Sequence, residues 1–321
     1  MATLEMQTRG RELAEPGVLT PEPEMLRQDG DPAACALRML TIHAHPDDEA
    51  SKGGASAARY AAAGVGVVLV CCTGGEAGSI LNPALDRPEV KERITEVRRQ
   101  ELFEATSHLG YGRVWMLGYR DSNMPASNEP GTFAAAPLDE TVRALVRLIR
   151  RERPHVMVTY PANQRGYRHP DHLRVHDASL PAYRAARDPG FHPELGAPWA
   201  PQKLYYVLWS RASLVARHKA FERLGMKSPF KPERWKRRRS MDHFITTRVF
   251  VGDHWEQGRR ALTAHATQVD PDSPFWFGLP PEVDRDAYPY DDYILARSAV
   301  PTSLPEDDLF AGIDTSEAPA H

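Results

Sequence analysis

Apolar positions in this chain come in short blocks, and helical spacings fill the gaps between them. Leu37–Ile42 is an apolar run interrupted only by Arg38 and Thr41, which suits a buried strand. Glu49–Ala63 is rich in alanine and predicts a helix that Gly64 stops. Val65–Cys72 is continuous and β-branched, the pattern of a strand covered on both faces. The alternation then repeats, with a helix at Val90–Leu109 before Gly110 and a strand at Arg113–Leu117. A helix at Leu138–Arg151, a strand at His155–Tyr160, a helix at Asp171–Arg187 and a strand at Lys203–Trp209 follow. Such alternation predicts an α/β fold: a Rossmann-like, mostly parallel sheet flanked by helices, in one domain spanning about 35–300. Within it, about 190–300 reads as a less regular extension that shapes a pocket. No internal repeat is visible.

The two ends lack this order. Residues 1–34 are polar with scattered Pro and Gly, and read as a mobile leader with one short helix near Met6–Ala14. Residues 301–321 are acidic and rich in Pro, Ser and Ala, and read as a disordered, solvated tail. The 321 residues are 41% hydrophobic and 26% charged, which excludes global disorder. Forty Lys and Arg against 43 Asp and Glu leave a net charge of −3, too little positive field for a nucleic-acid partner. No apolar run approaches the roughly 20 residues of a membrane helix, so no membrane partner is expected. The three cysteines, Cys35, Cys71 and Cys72, make no disulfide framework, and a reducing cytoplasm fits them best. The chain does not disclose an oligomeric state.

Ligands bind beyond the C-terminal ends of parallel strands, so chemistry is sought there. Two segments answer: His43-Ala44-His45-Pro46-Asp47-Asp48-Glu49 and His169-Pro170-Asp171-His172, each after a strand and before a helix. Each alone reads as a turn whose Asp caps the next helix. Two on one edge point instead to a divalent cation, because unpaired charge packed there is costly. A ligand pair from the first and one histidine from the second give two His and one carboxylate, an open zinc set. The same set suits an Fe(II) oxygenase, and a silent, metal-stabilised binding protein is a further alternative.

His45-Pro46-Asp47-Asp48-Glu49 with His169-Pro170-Asp171-His172 resembles the LmbE-like, or PIG-L, family of zinc-dependent N-deacetylases and amidases. The likeness runs from about Leu37 to Arg297, supported by Thr73-Gly74-Gly75-Glu76, Ile80–Ala84, Ala264–Gln268 and Leu295–Ser298. It implies His45, Asp48 and His172 as ligands of Zn2+, or of Fe2+, which the same set accepts. It implies Asp47 as general base, His169 as oxyanion stabiliser, Asp171 as the carboxylate that orients or tunes that imidazole, and Tyr167 as a mobile residue near the scissile carbonyl. Arg98 and Asp121 match residues that hold a sugar–inositol group. Lys52 matches the amidase subgroup, which hydrolyses mycothiol-type S-conjugates to an N-acetylcysteine S-conjugate and glucosaminyl-inositol. The implied partner is therefore a small-molecule thiol S-conjugate. Deacetylation of an N-acetylglucosaminyl compound is the alternative. Ser79 stands where the family has an acid that meets the headgroup, and Asn163–Arg168 is one residue longer than usual, with Arg165 and Arg168 at the rim. These departures suggest a specialised paralogue processing a thiol adduct within a biosynthetic pathway rather than in general detoxification.

Other features have plain readings. The glycines of 73–78 lack phosphate-loop spacing and read as a tight turn. Cys71 and Cys72 point to opposite faces of a strand and read as small core residues. Lys231–Arg239, with six basic side chains, reads as a solvated face. His43 and His265 are open between pocket and core. Trp276 and Phe277 fit either core packing or an apolar wall for a thioether substituent.

Overall fold

Every residue of β2 (Arg38–His43) and β3 (Gly66–Thr73) is buried, as their apolar runs require. They form the centre of a mixed sheet in the computed structural model, which describes residues 21–124, 129–164, 167–236 and 239–314. The other strands are β1 (Glu24–Gln28), β4 (Arg113–Tyr119), β5 (Val156–Thr159), β6 (Lys203–Leu208), β7 (Thr247–Phe250) and β8 (Tyr290–Ser298). Among the described residues the order is β1-β4-β3-β2-β5-β6-β8-β7. β4, β3, β2, β5 and β6 run parallel, and β1, β8 and β7 add antiparallel edges. The chain moves outward from β2 to β4, then returns to the other side of β2 to place β5 and β6. This reversal opens a crevice at the C-terminal ends of β2 and β5, where open α/β sheets seat ligands.

The helices are α1 (Asp48–Ser51), α2 (Gly54–Ala62), α3 (Pro88–Glu92), α4 (Ile94–His108), α5 (Leu138–Glu152) and α6 (Pro170–Ala185), then α7 (Arg211–Arg223), α8 (Pro232–Lys236), α9 (Trp255–Ala264), α10 (Pro274–Phe277) and α11 (Pro281–Ala287). α5 buries Val142, Leu145, Val146 and Ile149, the i, i+3, i+4, i+7 stripe of a core-facing helix, and packs on α6. α4 packs on α9. A single helix expected over 49–63 is instead two. Lys52 is extended and Gly53 takes φ +81°, with Tyr293 Oη 2.7 Å from where a Cβ would stand. Only glycine fits that approach.

Both ends depart from expectation. Glu24–Gln28, assigned to the leader, pairs with β4 as an edge strand, and Arg99 donates to Glu24. Five half-exposed residues carry no period strong enough to announce it. The helix expected near Met6–Ala14 lies outside the described residues. In the expected tail, 301–314 is packed: Leu309 and Phe310 are buried, and Glu306 meets Lys203 Nζ at 2.5 Å. Lys203 is fully buried in β6, so Glu306 serves as its counter-charge rather than as a solvating acid. Residues 315–321 lie outside the described range. The extension over 190–300 is more regular than expected, since β7 and β8 complete the sheet. It carries its own small core of Ala220, Phe221, Phe230 and Leu279. No helix among the described residues is long and apolar enough to cross a membrane.

Candidate active site

β2 delivers His45, Asp47 and Asp48 to the crevice, and α6 begins there with His169 at its cap and His172 in its first turn. The groups converge. Asp48 Oδ2 lies 3.3 Å from His45 Nδ1 and 3.2 Å from His172 Nε2, and all three residues are buried. Donor atoms of His45, Asp48 and His172 lie within 4.8 Å of one another, as do those of His45, Asp121 and His169. The first set fits an ion better. His172 Nε2 is buried beside a carboxylate oxygen with no hydrogen bond, whereas His45 Nε2 already bonds Asp171 Oδ2 at 3.3 Å. A divalent cation between His45, Asp48 and His172 satisfies the orphaned nitrogen, and two His with one carboxylate leave a coordination position open.

Asp47 adjoins this set in a left-handed backbone conformation, φ +108°, unusual for a residue with a Cβ. Three contacts hold it. Its amide donates to Glu49 Oε2 at 3.0 Å, its carbonyl accepts from the Ser51 amide at 3.0 Å, and Arg98 reaches its carboxylate at 3.2 Å. Arg98 is buried in α4 and also donates to the carbonyls of Pro46, at 2.5 Å, and of Gly75. A Cβ on Gly75 would collide with that guanidinium, which accounts for one glycine of the Gly74-Gly75 turn. Burial raises the Asp47 pKa, with Arg98 pulling the other way. Arg98, expected to hold substrate, turns its Nη1 and Nη2 to Gly75, Pro46 and Asp47.

His169 Nδ1 accepts the Asp171 amide at 3.3 Å, so the neutral ring carries its proton on Nε2. Burial, reinforced by the nearby charge of His45, lowers its pKa to about 4. Asp171 was expected to orient or tune His169; its carboxylate stands 4.0 Å from His169 Nδ1, without a bond to it, and its charge opposes the lowering of that ring's pKa. It contacts His45 Nε2 and accepts the Ser122 amide at 2.9 Å. Asp171 therefore fixes His45. Asp121 lies 3.2 Å from His45 Nε2 and accepts the Ala77 amide at 3.1 Å. Lys52, turned back by the break before α2, meets Asp48 Oδ1 at 2.5 Å. Burial opposes the Asp48 charge, but His172 and Lys52 hold its pKa well below the carboxylate range. Tyr167 is exposed at the mouth, its ring 5.9 Å from that of His169. Arg168 and Ser79 are exposed at the rim. Arg165 lies outside the described residues, as do Arg237 and Arg238 of the basic run.

Three supporting residues had no role from sequence. Glu49 is fully buried and accepts from His265 Nε2 at 2.6 Å while its other oxygen holds Asp47. That pair resolves the place of His265, and Glu101 ties Thr267 of the same segment to α4 through two 2.7 Å bonds. Tyr160 bonds His43 Nδ1 at 2.9 Å and stacks on His172 at 4.7 Å. The one available signal was adjacency: Glu49 follows the two aspartates, and Tyr160 ends a strand. Cys71 and Cys72 are buried free thiols in β3.

Beyond Lys52 a cavity of about 190 Å³ opens between the α1–α2 break and the C-terminal part. Its walls include Trp209, Phe275, Trp276 and Phe277.

The pattern of the family described as PIG-L, GlcNAc-PI de-N-acetylase, matches residues 40–183. The chain is 44% identical over 288 residues to a mycothiol S-conjugate amidase of Streptomyces coelicolor, covering 86% of this chain and 97% of that one. It is 38% identical over 293 residues to a 1D-myo-inositol 2-acetamido-2-deoxy-alpha-D-glucopyranoside deacetylase of Streptomyces avermitilis, with 86% and 97% covered. The fold matches that of the N,N'-diacetylchitobiose deacetylase from Pyrococcus horikoshii with a TM-score of 0.55 at 19% identity, covering 80% of this chain and 83% of the other. With a cradle for a divalent ion beside the Asp47 carboxylate, the chain belongs to the PIG-L/LmbE-like family of metal-dependent deacetylases and amidases, hydrolases of the amide C–N bond.

Proposed function

We propose that this protein is a zinc-dependent amidase that cleaves the amide of mycothiol-type S-conjugates, giving an N-acetylcysteine S-conjugate and glucosaminyl-inositol. The observation that carries the amidase over the deacetylase is the cavity beyond Lys52. A deacetylase must seat only a methyl group on the acyl side of the scissile bond. We assign to that side the cavity of about 190 Å³ that borders Lys52.

His45, Asp48 and His172 hold the zinc, which when bound supplies Lewis acidity to a water and to the scissile carbonyl. Asp47 takes the proton of the attacking water. Arg98 and Glu49 keep its carboxylate aimed at the crevice. His169 donates from Nε2 to the carbonyl oxygen as charge develops on it. Asp47, its pKa raised by burial, returns the proton to the departing amine. Tyr167 stands at the mouth, where it can cover the acyl group. Asp121 and Ser79, on the β4 and β3 side, face the sugar–inositol portion.

Mass spectrometry of products from a bimane-labelled mycothiol adduct tests this reading. The expected result is N-acetylcysteinyl bimane and glucosaminyl-inositol from native protein, and neither from chelated protein. Zinc at one equivalent should restore turnover. Acetate release from N-acetylglucosaminyl-inositol without cleavage of any S-conjugate would overturn the amidase in favour of the deacetylase.

A further inference from the structure

The walls of the cavity say which acyl groups it takes. Trp209 follows β6 at the same sheet edge as the ion site and is half exposed, a large ring left in solvent beside a reactive centre. It is not loose, because its indole N–H donates to the Ser51 carbonyl at 2.7 Å. Phe275 and Trp276 stand 5.9 and 5.5 Å from it, ring to ring. These three aromatics form a corner with room for another ring at the separations aromatic pairs prefer.

The link to the chemistry is Lys52. Its ammonium lies 5.7 Å from the Trp209 ring centroid and 6.0 Å from that of Tyr160, which stacks on His172. One side chain therefore separates the aromatic corner from the ion ligands. A carbonyl carbon held at the ion site places the sulfur of a cysteinyl group, two carbons away, at the level of Lys52.

Charge narrows the choice. Asp284 is neutralised by Arg217 at 2.7 Å, Asp292 accepts from Tyr288 and Arg248, and Asp291 accepts from the amide and hydroxyl of Ser56. Asp284 and Asp292 thus carry arginine partners, which weakens their pull on an incoming cation, and Asp291 is held by the neutral donors of Ser56. A cationic group would also meet the Lys52 ammonium. An anionic group would compete with Asp48 for that ammonium, which helps to set the charge of an ion ligand. A neutral ring disturbs neither.

Building on the amidase reading, we propose that the corner of Trp209, Phe275 and Trp276 is the seat of the thiol's S-substituent and that it selects neutral aromatic thioethers. The volume suits one ring, since an apolar cavity of about 150 Å³ is enough for benzene.

Rates on S-methyl, S-benzyl, S-aminoethyl and S-carboxymethyl conjugates of the thiol, measured with the zinc-loaded full chain, test the selection. S-benzyl should exceed the other three in kcat/KM by roughly tenfold or more. Trp276→Ala should erase that advantage, read as the ratio of S-benzyl to S-methyl kcat/KM. Trp209→Phe, which keeps a ring, should retain most of the advantage. A second arm needs no turnover: N-acetyl-S-benzylcysteine should quench tryptophan fluorescence and bind, and Trp276→Ala should weaken it by a similar factor. Equal rates for S-methyl and S-benzyl, or a preference that survives Trp276→Ala, would overturn the proposal. Absence of cleavage for every conjugate overturns the amidase reading alone. The binding arm then decides the cavity, where failure of N-acetyl-S-benzylcysteine to bind overturns the seat as well.

Discussion

The ion site and the aromatic cavity lie on either side of Lys52, yet they are built in opposite ways. The ion site draws on short sequence neighbourhoods, 45–49 and 169–172, and is held by buried charge and hydrogen bonds. The cavity draws on Lys52, Trp209, Leu214 and 275–277, held by ring contacts. In the first, each group has one geometry that satisfies its neighbours. In the second, apolar contacts tolerate exchange at a smaller cost. Catalysis should therefore fail abruptly when the first is altered, and specificity should drift when the second is.

The largest expected effect tests the abrupt side. Asp47→Asn keeps the volume and the contacts of the loop but removes the base. It should lower kcat by about 10²–10⁴-fold with zinc content unchanged by elemental analysis. His172→Ala should lose the zinc as well. If Asp47→Asn turned over at near-native rate with full metal, Asp47 would not be the base.

The Glu49–His265 pair probes what lies behind the loop. Both side chains are fully buried, and the Glu49 carboxylate lowers the cost of the left-handed Asp47 by accepting its amide. His265→Leu removes the donor to Glu49 Oε1 and leaves the buried carboxylate with the Asp47 amide alone. It should destabilise the fold by about 3–5 kcal/mol in denaturant titrations, because breaking a buried pair leaves an uncompensated charge. The double variant Glu49→Gln, His265→Leu should recover part of that stability and yet keep a depressed kcat with little change in KM. Equal loss in the single and double variants would show that the pair acts through packing alone.

The same contrast governs what the sequence could disclose. β2, β3 and the helix at 138–152 were legible because each writes its burial as a local period. The ion ligands were legible because acids and imidazoles crowded into two turns on one sheet edge call for a shared cation. For Asp171 the motif gives proximity but not direction: its backbone bonds His169, its carboxylate bonds His45, and only its charge reaches the His169 ring. Glu49 and His265 lie 216 residues apart, so no spacing links them. β8 was missed because its exposure follows no clean alternation, as expected of a strand between two antiparallel neighbours near the sheet edge. Glu306 was missed because the need for it arises at Lys203, in a strand that by itself reads as complete.

The smallest effect sits at the cavity floor, where β8 meets α2. Asp291 is driven up to about 6, first by burial and then by Asp292, while two bonds from Ser56 pull it down. A carboxyl whose folded pKa exceeds its unfolded value of 3.8 binds its proton more tightly in the native state. Its ionisation therefore costs stability, and the loss grows as pH rises from about 4 through about 6 and then levels off. Asp291→Asn can still accept from Ser56 through its carbonyl and carries no charge. It should raise stability at pH 7.5 by on the order of 2 kcal/mol and leave pH 4 almost unchanged, so the difference between the two pH values is the readout. Because the substitution sits on the tolerant side of Lys52, turnover of an S-methyl conjugate should hold while stability climbs. A variant stabilised equally at both pH values would show that the gain comes from packing and not from the removed charge.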